Sequence, residues 1–247
     1  MRPTGIPFSV TLNAGETYQV QSALASLDLT GTRVKAAPTS GPCRPFAVFS
    51  GSMCANVPVA CPACDHLFEQ MAPIDTWGSQ FFTVPIANAT SWTYRITASQ
   101  NATSVSINGA APMVLNAGQS HVVNGATTAA CITASLPVSV VQIAEGFNCA
   151  GSGDPSMITL APEGRYSKKV TWNTVTSAQI TGHSVSVVVE AAGTGSVLLD
   201  GTAVPPSAFT FYPSCPNHAY ATLTTVPGTH TLSSPVGFIA YAYGGGT

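Results

Sequence analysis

A motif that occurs twice is the feature of this sequence that most restricts its fold. LNAGETYQV runs from Leu12 to Val20, and LNAGQSHVV runs from Leu115 to Val123. Each copy is followed by an extended stretch, a Pro and an apolar run ending in Gly, PFAVFSG or PVSVVQIAEG, and this last element returns a third time as PVGFIAYAYG. Repeats of roughly a hundred residues are typical of tandem modules of immunoglobulin-like size. The sequence therefore predicts an array of similar modules.

Short runs rich in Val, Thr, Phe, Tyr and Ile, bounded by Gly, Pro and Asn, recur along the whole chain. Several of these runs alternate polar and apolar residues, which is the pattern of a half-buried strand. Asn108-Gly109, Asn124-Gly125 and Asp200-Gly201 are dipeptides that favour tight hairpin turns. A single helical turn is expected at Asp65–Gln70. The predicted class is all-β, with tandem antiparallel β-sandwich modules built from internal repeats.

The phase of the repeats predicts where the modules begin and end. Because the third copy stops soon after PVGFIAYAYG, we expect each module to close with that strand. Residues 65–153 and 154–247 are then two β-sandwich modules. Residues 1–64 are interpreted as the back half of a module whose front half lies upstream.

Charged residues are scarce, at 7% of the chain, compared with about 25% in an average soluble domain. Lys168 and Lys169 are the only adjacent cations, so the clustered positive charge that nucleic-acid binding requires is missing. No apolar run reaches the roughly 18 to 20 residues that cross a bilayer. We therefore expect neither nucleic-acid binding nor membrane insertion, and the composition favours a secreted or cell-surface β-protein.

The cysteines admit three interpretations, and the chain carries them at Cys43, Cys54, Cys61, Cys64, Cys131, Cys149 and Cys215. A zinc site at Cys54, Cys61, Cys64 and His66 has four ligands but lacks the second CxxC pair of most structural sites. A redox centre at Cys61-Pro-Ala-Cys64 lacks the surrounding βαβ pattern. Disulfides require only an oxidising compartment and suitable geometry, and we favour them.

Under the disulfide interpretation, Cys54 and Cys64 close a short loop that contains proline. Cys131 and Cys149 flank a strand of the second module and are the next candidate pair. Cys43 with Cys61 is a further candidate. Cys215 is then the thiol left over, because no other cysteine of its own module can pair with it, and we expect it to bond to the missing portion of the first module or to another chain.

Asp65, His66 and Glu69 form the best polar cluster of the sequence. A helical turn would bring His66 and Glu69 onto one face, where they would be weak candidate metal ligands. Alternatively, Asp65 caps that turn and His66 bonds to a neighbouring loop. No GxSxG elbow or calcium-loop spacing is present, so we predict no enzyme activity and no cofactor.

Several unusual motifs resemble one known family. DLTGTRVKA, PFAVFSGSMCANVP, CDHLFEQMAPIDTWGSQFFTVP and PGTHTLSSPVGFIAYAYG are together similar to the IgGFc-binding protein N-terminal domain family, over nearly the whole chain. The resemblance implies an extracellular β-rich domain with binding or adhesive duties. It also implies that Cys54 and Cys64 bracket the family's loop before the HLxEQ segment, whereas Cys43 and Cys61 are additions to the motif.

Two functional hypotheses follow from the sequence. The preferred one is an extracellular, non-enzymatic module of a larger secreted or surface protein that binds a protein or glycan ligand. The alternative is a structural subunit of a surface filament or matrix that self-associates through β-strand complementation, because an incomplete first module would leave an unpaired strand edge.

Overall fold

The computed structural model describes residues 5–24, 27–37 and 44–246. Its first regular element is an antiparallel hairpin of β1 (Phe49–Ala55) and β2 (Asp65–Gln70). Residues 65–70 are thus a strand and not the expected helical turn. Alternate side chains of β2 are exposed and half-buried, which is the period of a strand packed on one face.

The first of two seven-stranded sheets follows a 3-10 turn at Ile74–Thr76. Its strands, with one short helix before the last, are β3 (Gly78–Phe82), β4 (Trp92–Ala98), β5 (Thr103–Ile107), β6 (Met113–Leu115), β7 (Ser120–Ala126), β8 (Cys131–Ala144), α1 (Phe147–Ala150) and β9 (Met157–Thr159). The long strand β8 is central, because β5 and β4 pair along one side of it and β3 and β9 along the other.

The second seven-stranded sheet contains all the remaining strands, together with 3-10 turns at Ala191–Gly193 and Pro206–Ala208. These strands are β10 (Ser167–Asn173), β11 (Gly182–Glu190), β12 (Leu198–Leu199), β13 (Thr202–Ala203), β14 (Thr210–Tyr212), β15 (Cys215–Thr225) and β16 (Thr229–Gly245). All pairings in both sheets are antiparallel, which confirms the predicted all-β, antiparallel class.

The two sheets pair their strands according to the same scheme. The pairings β3·β8, β4·β7, β4·β8, β5·β6 and β5·β8 correspond to β10·β16, β11·β15, β11·β16, β12·β13 and β12·β16. The Asn108-Gly109 turn of the first sheet and the Asp200-Gly201 turn of the second make the same contact to the long strand. The amide of Cys131 donates to Oδ1 of Asn108, and the amide of Thr231 donates to Oδ1 of Asp200. This likeness is one of topology, and the internal sequence repeat and its module boundaries stay predictions.

Each sheet curls into a half-barrel around its own apolar core. Trp92, Ile96 and Val140 lie in the first core, and Val187, Leu232 and Phe238 lie in the second. A third cluster, which includes Phe82, Tyr212 and Ile239, lies between the sheets. The protein therefore has two cores and an apolar interface that joins them.

Residues 5–24 and 27–37 contain no strand among the residues described, although they carry the first copy of the repeated motif. Their large apolar side chains are mostly exposed, including Phe8, Leu12, Tyr18 and Leu29. Within the described ranges, no helix is long and apolar enough to cross a membrane.

Candidate functional site

The loop between β1 and β2 is closed by a disulfide between Cys54 and Cys64, whose Cα atoms are 5.0 Å apart. This is the pairing that the sequence favours for the loop. Cys64 is therefore not available to a zinc ion or to a CxxC redox pair with Cys61. The loop is a crosslinked turn that places β2 beside β1.

A second disulfide joins this loop to the end of the first sheet. Cys61 bonds to Cys149 in α1, with 6.0 Å between the Cα atoms. The loop lies against the chain that follows β8, because the amide of Gly146 donates to the carbonyl of Val57. The predicted Cys43–Cys61 pair is therefore wrong, and Cys43 itself lies outside the described residues.

The third disulfide links the two sheets through Cys131 and Cys215, whose Cα atoms are 6.3 Å apart. It contradicts both the predicted Cys131–Cys149 pair and the expectation that Cys215 has no partner in the chain. Cys131 is the first residue of the 14-residue strand β8, and Cys149 lies in α1 beyond the other end of that strand, which spans roughly 45 Å at about 3.3 Å per residue. Disulfide-bonded Cα atoms lie within about 7 Å of each other, so this pair cannot form.

The predicted metal candidates Asp65, His66 and Glu69 lie on strand β2, where the geometry differs from the expected helix. Residues three apart on a strand point to opposite faces, so His66 and Glu69 do not converge. Nδ1 of His66 lies 3.1 Å from Oδ1 of Asp65, and this exposed pair lowers the pKa of Asp65 through hydrogen bonds from the His66 amide and ring. Burial raises the pKa of Glu69, whose carboxylate accepts a hydrogen bond from the amide of Thr159 in β9. Within the described ranges, no group of three His, Cys, Asp or Glu side chains is arranged to hold a metal.

An open cleft of about 330 Å³ lies beside the first residues of β3, and we call it the Trp77 cleft. It is lined by Ala72, Thr76, Trp77, Phe81, Val138, Ser139, Thr159, Leu160, Ala161, Pro162 and Arg165. Nε1 of Trp77 donates to the carbonyl of Ala72 at 3.0 Å, which fixes the orientation of the half-buried ring. Arg165 is exposed at the edge of the cleft. An apolar wall with an indole, hydroxyls and a guanidinium is a surface on which a protein loop or a sugar can pack.

Glu145 is a buried carboxylate that the sequence does not single out. Its side chain is 1% exposed and accepts hydrogen bonds from the hydroxyls of Ser91 and Thr93 and from the amide of Gly125, at 2.5, 2.7 and 2.8 Å. Ser91 directly precedes β4, Thr93 lies in β4 and Gly125 lies in β7. The carboxylate therefore connects these two strands to the end of β8. No described ion pair involves Glu145, and its role in this structure is to hold these elements together.

Two histidines in the second sheet also have close polar partners. Nδ1 of His230 lies 2.7 Å from Oδ2 of Asp200, and Nε2 lies 2.6 Å from the carbonyl of Val226. Both partners are hydrogen-bond acceptors, so the two nitrogens donate to both of them only when the ring is protonated, and the hydrogen bond to Asp200 raises the pKa of His230. Nε2 of His218 lies 3.1 Å from the hydroxyl of Tyr166 and 3.2 Å from Oε1 of Glu163. The partners of His230 and His218 include residues 30 and 52 positions away along the chain, so the sequence alone does not predict these contacts.

The fold and the crosslinks define a disulfide-stabilised all-β protein, and comparison with known proteins identifies its family. The IgGFc binding protein family matches residues 1–244, and the chain belongs to this family. The human IgGFc-binding protein is 30% identical over 106 residues, which are 43% of this chain. The matched part spans only 2% of the length of that human protein. No solved structure matches the chain significantly.

Proposed function

We propose that this chain is an extracellular, non-enzymatic module that binds a protein ligand at the Trp77 cleft. The cleft carries the proposal, since it brings an oriented indole and an exposed cation together on a crosslinked sheet. Membership of a family that is named for binding supports a binding role. Three disulfides and a chain with few charges support an oxidising, extracellular environment.

The first ligand to test is the Fc part of IgG, because the human relative is named for binding it. The protein is passed over immobilised Fc, mucin and a glycan array, and we expect saturable binding to a protein surface. Arg165→Gln should weaken this binding by about tenfold to a hundredfold, which corresponds to one charge-assisted hydrogen bond. Lys168→Gln removes another exposed cation outside the cleft and should leave binding unchanged.

Trp77→Leu provides a second variant, because it removes the indole but keeps an apolar side chain in the cleft. Its melting temperature is compared with that of the unmodified protein, so that loss of binding is separated from loss of fold. Saturable binding that both cleft variants leave intact would move the ligand site elsewhere. Binding to glycans alone would replace the protein ligand with a carbohydrate, and the absence of any saturable binding would reject the proposed function.

A further inference from the structure

Two short strands of the chain dock onto the strand before them in the same way. β2 pairs with β1, and the amide of Met71 donates to the carbonyl of Val48 at 2.8 Å. β9 pairs with β8, and the amide of Leu160 donates to the carbonyl of Val140 at 2.9 Å. In both cases Ala-Pro follows directly after the donor residue. We call β2 and β9 the leading strands, because each precedes the first strand of a seven-stranded sheet.

The leading strand β9 occupies a defined position on β8. Val138 pairs with Ala98 of β4 and also with Gly78 of β3, so β3 and β4 lie on opposite sides of β8. β9 continues along the side of β3 and pairs with residues 141–143. Ile158 and Leu160 turn their side chains onto the core of the first sheet. A leading strand therefore extends the pairing of β8 and also covers apolar surface.

At the corresponding position on β16, the described part of the chain places no strand. Phe238 pairs with Ser167, the first residue of β10, as Val138 pairs with Gly78 in the first sheet. Beyond Phe238, β16 pairs with β11 on its other side up to Gly245. Within the described residues, no strand pairs with residues 239–245 on the β10 side, and we call this segment the β16 edge.

The backbone of the β16 edge is directed toward the open side. The carbonyl of Gly245 accepts a hydrogen bond from the amide of Thr181, which lies on the β11 side. Because backbone groups alternate along a strand, those of Ala240, Ala242 and Gly244 point away from β11. Ala242 and Gly244 are exposed, whereas the positions on β8 that β9 covers are largely buried. Since no described residue pairs with them, these groups form a short open strand edge.

We propose that the β16 edge is a strand-docking site whose occupant is the leading strand of a further module of this family. The occupant is an extended peptide with apolar side chains at alternate positions, as in β9, and it pairs antiparallel with residues 240–244. Its apolar side chains pack beside Phe238 and Ala240 on the core of the second sheet. The leading strands of a second copy of this chain are not the source, because its β2 and β9 are both already paired. The proposal is independent of ligand binding at the Trp77 cleft.

A peptide of residues 154–161, DPSMITLA, tests the proposal directly. The peptide ends before Pro162 for a steric reason. In the first sheet the ring of Pro162 lies against Gly78, which has no side chain, whereas in the second sheet the matching position is Ser167, whose side chain would meet that ring. The labelled peptide is titrated with the whole chain, and fluorescence anisotropy measures binding. We expect saturable binding, and the absence of it overturns the proposal.

Backbone methylation provides the matched control within the peptide. The amide of Leu160, the residue directly after β9, donates to β8, and the amide of Ile158 points the same way because it lies two residues earlier. N-methylation of both should weaken binding by about tenfold or more, as expected for two lost hydrogen bonds. N-methylation of Met157 and Thr159, whose amides point away, should have an effect of less than about threefold. Equal effects of the two patterns would mean that the peptide does not bind as a paired strand.

A protein variant locates the site on β16. Ala242→Pro removes one amide from the open edge and should weaken peptide binding by about threefold or more, since proline is tolerated at a strand edge but cannot donate. Ala242→Thr keeps the amide and should bind normally. If both variants bind equally, the edge is not the site, and if Ala242→Pro does not fold, the methylated peptides still decide. Sedimentation velocity of the unmodified chain should show no self-association through this edge, and a dimer that the peptide dissociates would make a second copy the occupant and overturn the proposal.

Discussion

The disulfide between Cys131 and Cys215 should stabilise the protein more than the disulfide within the β1–β2 loop. The two bonds close chain segments of 84 and 10 residues. In the loop-entropy relation these lengths correspond to about 4.6 and about 2.7 kcal/mol at 25 °C. The Cys61–Cys149 bond shortens neither segment, because only one of its ends lies within each of them. We therefore expect Cys131→Ala/Cys215→Ala to lose about 2 kcal/mol more stability than Cys54→Ala/Cys64→Ala.

Urea unfolding followed by tryptophan fluorescence measures this difference. With a denaturant dependence of about 2 kcal/mol/M, the two double variants should differ in midpoint by about 1 M. Alanine is used because a serine at the buried position of Cys131 would add an unpaired hydroxyl. If the variant that lacks the long crosslink unfolds at the same midpoint as the other, or later, the entropic reasoning is refuted.

Three further predictions concern polar contacts. The raised pKa of His230 means that the folded protein holds the proton more tightly than the unfolded chain does, so the stability that His230 contributes is complete below the unfolded pKa of 6.5 and is lost as pH rises through the folded pKa. His230→Gln should therefore remove the decline in unfolding free energy above pH 6.5, measured by urea titrations at several pH values. An unchanged dependence of the unfolding free energy on pH in the variant would contradict this prediction. Glu145→Gln places an amide among hydrogen-bond donors and should cost about 1 to 3 kcal/mol of unfolding free energy, whereas the exposed Glu190→Gln should cost almost nothing in the same assay. Arg95→Gln breaks the 2.8 Å ion pair with Asp28 and should speed proteolysis of residues 27–37 while changing global stability by less than about 1 kcal/mol; equal cleavage rates would show that this pair does not hold the segment.

The cysteines illustrate how far spacing along the chain can predict pairing. Cys54 and Cys64 lie close in sequence, and their loop is recognisable without knowledge of the fold. The partners of Cys61 and Cys131 lie 88 and 84 residues away, so they depend on which strands meet. The sequence predicts a Cys131–Cys149 pair because both residues flank one strand, but a strand holds its ends apart. Two cysteines at opposite ends of the same strand are therefore poor candidates for a disulfide.

The segment at residues 65–70 shows a similar limit for short elements. Six residues cannot establish a helical period, and the acidic start resembled a helix cap. In the structure, exposed and half-buried side chains alternate along this segment as they do in a strand, and β1 supplies the neighbouring edge with which it pairs. Tertiary pairing decided the outcome, and it also separated His66 from Glu69. The hypothesis of a metal site at His66 and Glu69 required a helix, and the strand places these two side chains on opposite faces.

The two copies of the LNAG motif separate local from distant causes of structure. In the first copy the amide of Asn13 donates to the carboxylate of Glu16 at 2.8 Å, and in the second the amide of Asn116 donates to Oε1 of Gln119 at 2.8 Å. Gly15 and Gly118 take similar positive φ angles of 84° and 79°, so the same turn forms in both places.

The strands beside that turn depend instead on a distant partner. In the second copy β7 pairs with β4, whereas no described residue before Phe49 offers a strand to the first copy. A hairpin turn alone stabilises paired strands only marginally, because most of the free energy comes from a third strand and a buried face. The exposed apolar side chains of residues 5–24 and 27–37 therefore have the pattern of strands, but the described residues offer no sheet on which they would pack. The β16 edge has a paired sheet but lacks its leading strand, so both ends of the described chain leave strand pairing incomplete.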